Sequence, residues 1–375
     1  MSQARDASYM AEAIRLAEQG LYTTHPNPRV GSVIVRNDKV VGRGFHLQAG
    51  QHHAEAAALL EAGTAAAGAT VYCTLEPCSY VGRTPSCAES LIAAGVARVV
   101  VAMEDPHPRN AGRGLAMLRE AGIAVECGLL AASARALNPG HIKRFEQGLP
   151  FVRVKLAMSL DGKTALANGR SQWITGPAAR RDVQKLRARS SALVTGVQTV
   201  NDDNPSLTVR AEELDAPAAA LSAILARPIV VLDPRLRIER HASLLANPNL
   251  LLACLKATAG ATDQDAGELA GITLLPLDDD GQGRIELTAV LRELAVRDCN
   301  EVLFECGATL AGAVVESGLA DEIIIYAAPT FLGADARSLL NMRKLDSMHA
   351  RTRLELSDVR KVGQDLRLTL VPQDR

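Results

Sequence analysis

Three side chains able to ligate a transition metal follow one another in the first quarter of the chain: His53, Cys78 and Cys87. To serve one ion they must meet at a point, so the segments carrying them have to converge. His53-Ala54-Glu55 opens a helical pattern, Glu76-Pro77-Cys78 leaves a strand, and Thr84-Pro85-Ser86-Cys87 opens the next helix. One imidazole and two thiolates leave zinc's fourth tetrahedral position for water, which is the catalytic and not the structural pattern. Cys87 just inside a helix start gains from the positive end of the dipole, which favours thiolate. Glu55, two residues beyond His53, is placed to shuttle protons for that water. H-x-E followed by P-C-x-x-C marks zinc deaminases acting on nucleobases, but here eight residues separate Cys78 from Cys87. Two readings stay open on these residues alone. The cysteines are also small apolar side chains that pack well, and a closed structural site would need a fourth ligand, for which Cys73 is the nearby cysteine. His52 reads as a neighbour of the cluster, and Cys73, Cys127, Cys254 and Cys299 as core residues.

Around this cluster, short β-rich runs alternate with helical patterns. Strands are expected over Val30–Arg36, Val40–Gly44, Thr70–Leu75, Val96–Met103 and Ile123–Cys127, with helices over His53–Ala62, Cys87–Ala94 and Gly114–Ala121. Such alternation predicts an α/β sheet with helices on its faces. Asn138-Pro139-Gly140 and Gly148-Leu149-Pro150 bracket a basic segment before a new strand at Phe151, which sets a domain boundary between 1–147 and 148–375. At 375 residues, two domains are expected. The second half alternates as well: strands over Leu193–Gly196, Ile229–Leu232, Leu250–Leu255, Val302–Phe304 and Glu322–Ala327, helices over Arg180–Ala188, Leu287–Ala295 and Thr309–Glu316, and an Ala-rich surface excursion at Ala211–Ala226.

Charge and aromatic content exclude a polymer-binding protein. Lys plus Arg number 41 against 42 Asp plus Glu, and aromatics are 3%, so neither a basic face nor a stacking platform is supplied. Met10, Ala13, Ile14 and Ala17 fall at helical spacing, so the N-terminal segment reads as a helix of the fold rather than a signal peptide. No apolar run is long enough to span a membrane, and seven scattered cysteines do not form a disulfide framework. A cytoplasmic protein is expected.

The second half lacks a G-x-G-x-x-G fingerprint, but three segments suggest a pocket: Lys155 to Gly162 with Ser171–Thr175, Val194–Val197 leading to Arg210, and Phe304-Glu305-Cys306-Gly307 running into a helix. The last is a strand, a small-residue turn and a helix N-terminus, which suits a phosphate. Gly196, Gly307 and Trp173 could equally serve turns and core.

At these residues the chain resembles a known family. Thr24-His25-Pro26-Asn27-Pro28-Arg29-Val30-Gly31, His53-Ala54-Glu55, and Thr74-Leu75-Glu76-Pro77-Cys78 through Gly82-Arg83-Thr84-Pro85 to Cys87 are similar to the deaminase half of the bifunctional riboflavin-biosynthesis deaminase/reductase, where the wide cysteine spacing is the rule. Asp105-Pro106-His107-Pro108 and Ala111-Gly112-Arg113-Gly114 look like the same family's loop. The three later segments resemble its reductase half. The resemblance implies a cytidine-deaminase-like three-layer αβα domain followed by a dihydrofolate-reductase-like α/β domain. It implies that His53, Cys78 and Cys87 bind one zinc ion per chain, that Glu55 moves protons, and that Asn27 and His46 touch a substrate whose phosphate lies near Arg83. For the reductase it implies that Ala157, Trp173, Thr199 and Asp203 contact NADPH, with Gly307, Ala308, Thr309, Leu310, Ala311, Gly312 and Ala313 holding its phosphates. Ser171, Arg187, Leu207, Arg210 and Glu305 would face the substrate, Lys155 and Glu305 being the ionisable groups at the hydride-accepting carbon. Cys306 departs from the two glycines common after the glutamate strand. The implied chemistry is deamination of a diaminopyrimidinone ribosylamine phosphate, then reduction of its ribosyl group to ribityl, by a homo-oligomer (dimer or tetramer). A nucleobase deaminase with an unrelated tail, or a non-enzymatic nucleotide-binding regulator with structural zinc, are the competing classes.

Overall fold

The computed structural model describes residues 3–82, 85–214, 219–261 and 271–373, and the chain divides into two compact units, Met1–Gly148 and Leu149–Arg375. In the first unit five strands, β1 (Gly31–Arg36), β2 (Lys39–Phe45), β3 (Thr70–Cys73), β4 (Arg98–Val101) and β5 (Ala124–Cys127), form one sheet in the order β2-β1-β3-β4-β5. Strand β1 runs antiparallel to β2 and β3, while β3, β4 and β5 are parallel. The hairpin between β1 and β2 turns on two residues, Asn37 and Asp38, both at left-handed φ, the geometry that matches strand twist.

Alternation along the strands sorts two cores. Ile34, Val71, Val99 and Val101 pack with Ala58, Leu91 and Leu118 on one face, and Val33, Tyr72 and Val100 pack with Met10, Ala13 and Ile142 on the other. Helices therefore cover both faces, giving the three-layer αβα arrangement. The helix Ala54–Ala62 lies flush on β2 because Gly42 and Gly44 leave no side chain in its way; a Cβ at Gly44 would sit 2.1 Å from the Ala54 carbonyl oxygen. Gly44→Ala is therefore expected to cost about 1–3 kcal/mol through overpacking and to lower the unfolding midpoint, as read by urea titration of the purified protein.

The structure adds to and corrects these expectations. The basic segment between Asn138 and Gly148 is helical: Pro139 takes the first turn of a helix, Pro139–Gln147, preceded by another at Ala131–Leu137. Cys127 is exposed rather than core, because β5 is an edge strand. The Ala211–Ala226 excursion holds a short helix, Ala219–Ile224, whose Ser222 is buried and hydrogen-bonded to Arg227; residues 215–218 lie outside the described residues.

The second unit carries β6 (Phe151–Ser159), β7 (Lys163–Ala165), β8 (Ala192–Gly196), β9 (Ile229–Leu232), β10 (Leu250–Leu255), β11 (Thr273–Leu277), β12 (Glu301–Glu305), β13 (Glu322–Ala328), β14 (Arg337–Ser338), β15 (Leu354–Val362) and β16 (Asp365–Pro372). Nine of them make one sheet in the order β11-β10-β9-β8-β12-β6-β13-β16-β15, and β7 pairs with β14. The sheet is parallel from β11 to β13, and the last two strands add antiparallel. Strands β9 and β12 are buried along their whole length, as a parallel sheet covered on both faces requires. Among the described residues no helix is long and apolar enough to cross a membrane.

Candidate active sites

In the first unit the three expected ligands meet. His53 is the N-cap of the helix Ala54–Ala62 and has extended backbone, so its ring projects away from the helix barrel rather than along it. Cys87 opens the helix Cys87–Ala93, whose N-cap Ser86 accepts the Glu89 N–H and donates to the Cys78 carbonyl at 2.9 Å. The two cysteines are thereby tied together: the Cys87 N–H reaches Cys78 Sγ at 3.2 Å. His53 Nδ1 lies 3.7 Å from Cys78 Sγ and 3.3 Å from Cys87 Sγ, and the three ligand atoms fall within 4.8 Å of one another. Tetrahedral zinc with its usual bond lengths spaces such atoms about 3.5 Å apart, so these residues fit the ion. Among the described residues no fourth His, Cys, Asp or Glu joins the group, and His52 and Cys73 stand outside it.

The electrostatics suit a metal. The Cys78 thiol is held well below its ordinary range, first by the Cys87 thiol hydrogen-bonded to it and then, against the cost of burial, by His53 and the Cys87 N–H. Glu55 is 3% exposed. Burial pushes its carboxyl up to about 7, against the pull of His53, which is the range a group exchanging protons near neutrality needs. Burial lowers the pKa of His46. Its Nδ1 lies 3.0 Å from the His52 carbonyl and its Nε2 3.0 Å from Asn27 Nδ2. With Nδ1 donating, Nε2 accepts from the Asn27 amide, which orients both side chains. The His46 ring stands edge-on to His53 at 5.2 Å. Arg83 lies outside the described residues.

In the second unit a cleft of about 1300 Å³ opens at the carboxyl ends of the parallel strands, where ligands sit in open α/β sheets. Register explains its floor: β12 and β6 pair Glu305 with Lys155. Lys155 Nζ is 3.9 Å from Glu305 Oε2, and Arg187 grips the same carboxylate with two bonds of 2.5 and 3.0 Å. Burial pushes Glu305 up, but the charge and hydrogen bonds of Arg187, aided by Lys155, outweigh it and hold the carboxyl below its ordinary value. Burial lowers Lys155 despite Glu305. Arg187 also donates to the Thr208 carbonyl and borders the cleft, so its guanidinium holds Glu305 from beside the space a ligand would take.

Ser171, whose hydroxyl lies 3.4 Å from Asp203, lines this cleft together with Ala157, Trp173, Thr199, Leu207 and Arg210. Trp173 is not core: it is 69% exposed, with Arg180 stacked on it at 4.6 Å. Thr199 accepts the Gly307 N–H at 3.1 Å, fixing the turn before the helix Ala308–Glu316. Of the seven residues expected to hold phosphates, Gly307, Ala308, Thr309, Leu310 and Ala313 face the cleft. Ala311 and Gly312 do not, because the helix turns them inward; Ala311 is fully buried and Gly312 packs on the Asn341 backbone. Cys306 packs partly against the core, where burial raises its thiol to about 12.

Sequence reasoning missed the residues that frame these sites. Glu76 is no ligand; its carboxylate accepts backbone N–H groups from a neighbouring loop and helix. One signal was available: the helix Arg113–Glu120 starts at Gly112, which offers no capping side chain, so an acceptor from elsewhere is needed. Under the second cleft, the Tyr326 hydroxyl donates to Asp182 at 2.6 Å and Arg367 pairs with the same carboxylate at 2.9 Å.

Comparison with known proteins agrees over both units. Residues 3–103 match the cytidine and deoxycytidylate deaminase zinc-binding region, and residues 150–368 match the RibD C-terminal domain. The chain is 45% identical to the riboflavin biosynthesis protein RibD of Escherichia coli (strain K12), over 98% of this chain and 99% of that one. It is 43% identical to the corresponding protein of Haemophilus influenzae, over 98% of each. Among solved structures, Acinetobacter baumannii RibD superposes with a TM-score of 0.90 at 43% identity over the full length of both chains. A deaminase/reductase from Thermotoga maritima superposes at 0.84 with 28% identity over 99% of each. Likeness of this depth along the entire length, on top of the two sites, places the chain in the RibD family of bifunctional riboflavin-biosynthesis enzymes, with a zinc-binding deaminase domain and an NADPH-dependent reductase domain.

Proposed function

We propose that residues 1–147 remove the ring amino group of a diaminopyrimidinone ribosylamine phosphate and that residues 148–375 then reduce its ribosyl chain. The Thermotoga maritima protein, whose name specifies a diaminohydroxyphosphoribosylaminopyrimidine deaminase and a phosphoribosylaminouracil reductase, supports this choice of substrates. The observation that carries the first half is the convergence of His53, Cys78 and Cys87 beside the buried Glu55. Zinc, when bound, supplies Lewis-acid activation of water at neutral pH. Glu55 takes the proton of the attacking water and returns it to the departing amino group, so that ammonia leaves neutral. Asn27 and His46, locked to each other, hold the ring, and Arg83 serves the phosphate.

In the second half NADPH supplies the hydride that no side chain can give. Ala157, Trp173, Thr199 and Asp203, with the start of the helix Ala308–Glu316, bind the cofactor. Ser171, Arg187, Leu207 and Arg210 face the substrate. Lys155 and Glu305 stand at the floor of the cleft, where Lys155 can give a proton to the opened ribosylamine while Glu305, fixed by Arg187, orients it.

A homo-oligomer, dimer or tetramer, is supported by the outer strand β15, where Leu354, Leu356 and Val359 stand exposed at the sheet's edge. A cytoplasmic location is supported by seven scattered cysteines that make no disulfide framework, as suits a reducing compartment.

The test joins metal content to two assays. Wild-type protein is expected to carry one zinc ion per chain, to release ammonia from the diaminopyrimidinone phosphate and to oxidise NADPH on the product. Cys87→Ala is expected to lose zinc and ammonia release while still oxidising NADPH when given the deaminated intermediate. Ammonia release at the wild-type rate by metal-free Cys87→Ala would overturn the assignment.

A further inference from the structure

We infer that Glu76 and Asn110 are positioning residues for the deaminase site, holding the turn that carries Cys78 in register with His53 and Cys87. The inference rests on those three residues being the zinc ligands. Glu76 lies two residues before Cys78 and is 3% exposed, yet its carboxylate turns away from the ligand cluster. One oxygen accepts the N–H groups of Gly114 at 2.8 Å and Leu115 at 3.3 Å, in the first turn of the helix Arg113–Glu120. The other accepts those of Asp105 at 3.1 Å and Gly112 at 3.0 Å, at the two ends of the intervening loop. A single side chain thus caps a helix that has no cap of its own and closes a loop onto the ligand turn.

Asn110, fully buried at the centre of that loop, holds the turn from its other side. Its Oδ1 accepts the Ser79 N–H at 2.9 Å, and its Nδ2 lies 3.4 Å from the carbonyls of Glu76 and Pro77. The backbone on both sides of Cys78 is therefore fixed by groups that never reach the metal. Gly114 completes the fit, since a Cβ there would stand 2.0 Å from the Pro77 carbonyl oxygen. Supports behind a ligand set its orientation, and their loss weakens metal binding while the ligands remain.

The experiment measures zinc release from the full-length, zinc-loaded protein to a chromogenic chelator. In Glu76→Gln the amide NH₂ must face one pair of N–H donors, so that pair loses its acceptor. In Asn110→Ala the helix cap remains but Ser79 and the turn lose their support. Both are expected to release zinc about 10–100-fold faster than wild type, with deaminase kcat lowered and NADPH oxidation by the second unit unchanged. Asn110→Ala is expected to lose some stability with its buried hydrogen bonds yet to stay folded at the assay temperature, as read by circular dichroism, so that its zinc release reports positioning and not unfolding; it also decides the matter if Glu76→Gln does not fold. Release at the wild-type rate from both variants, or from a folded Asn110→Ala alone, overturns the inference. A wild-type protein that holds no zinc overturns the ligand assignment instead, and the inference with it.

Discussion

Glu55→Gln is expected to abolish deamination while leaving the rest of the molecule at work. The substitution keeps shape and hydrogen-bonding capacity but removes the carboxyl proposed to take and return the proton. Losing a positioned general acid–base typically costs about 10²–10⁴-fold in rate, equivalent to about 3–5 kcal/mol of barrier. The ligand atoms of His53, Cys78 and Cys87 are untouched, so zinc content should stay at the wild-type value. Folding stability should not fall, because an amide at this buried position carries no charge to desolvate. The measurements are ammonia release, zinc per chain, and NADPH oxidation with the deaminated intermediate supplied. Full ammonia release by the zinc-loaded variant would remove Glu55 from the mechanism.

Glu305→Gln should be the most damaging single change in the second unit. The wild-type carboxylate is held by two hydrogen bonds from Arg187 and lies near Lys155. Without its charge both cations lose their counter-ion in a largely buried floor, and breaking one side of a buried pair costs up to about 3–5 kcal/mol. NADPH oxidation should fall by about 10²-fold or more, while ammonia release by the first unit persists. The pH dependence has a definite sign. Glu305 is held below its ordinary value in the folded chain. Its contribution to stability is therefore complete above about pH 4.3 and is lost as acid titrates through the folded-state value. The stability gap between wild type and Glu305→Gln should accordingly be widest near neutrality and narrow on acidification, as urea titrations at several pH values would show. A constant gap across that range would mean the carboxylate is not what Arg187 and Lys155 stabilise.

What could be read from the sequence is what side chains announce by type and spacing. The His53-Ala-Glu55 and Glu76-Pro-Cys78 segments, with Cys87 at a helix start, carry their chemistry openly, and the fold places all three ligand atoms together. Lys155 and Glu305 were legible as residues, but not as neighbours. Their adjacency is a matter of strand register between segments about 150 positions apart, which no local pattern encodes. The grip of Arg187 on Glu305 went unread for the same reason, since the carboxylate comes from that distant strand. Ala311 and Gly312 were grouped with the phosphate turn as a continuous run, whereas a helix rotates successive residues by about 100° and shows only some of them to a ligand. Glu76 and Asn110 were invisible for a different reason. They act on backbone N–H and C=O groups, which every residue has, so nothing in the partner residues marks the contact. The hairpin of β15 and β16 went unread because β15 breaks its apolar alternation at a bulge between Leu356 and Asp358, although Leu366, Leu368 and Leu370 alternate with polar residues along β16.

Strand β6 is the first strand of its unit to leave the ribosome, yet both of its neighbours in the sheet, β12 and β13, come from beyond residue 300. At ordinary synthesis rates that interval lasts about 8–30 s, during which an apolar strand meant for the centre of a sheet has neither edge covered. The first unit has no such delay, since all its strands lie within 148 residues and can pair while the remainder is still being made. The nascent polypeptide is therefore exposed to misassociation mainly through its reductase half. That is where a holding chaperone would have something to grip.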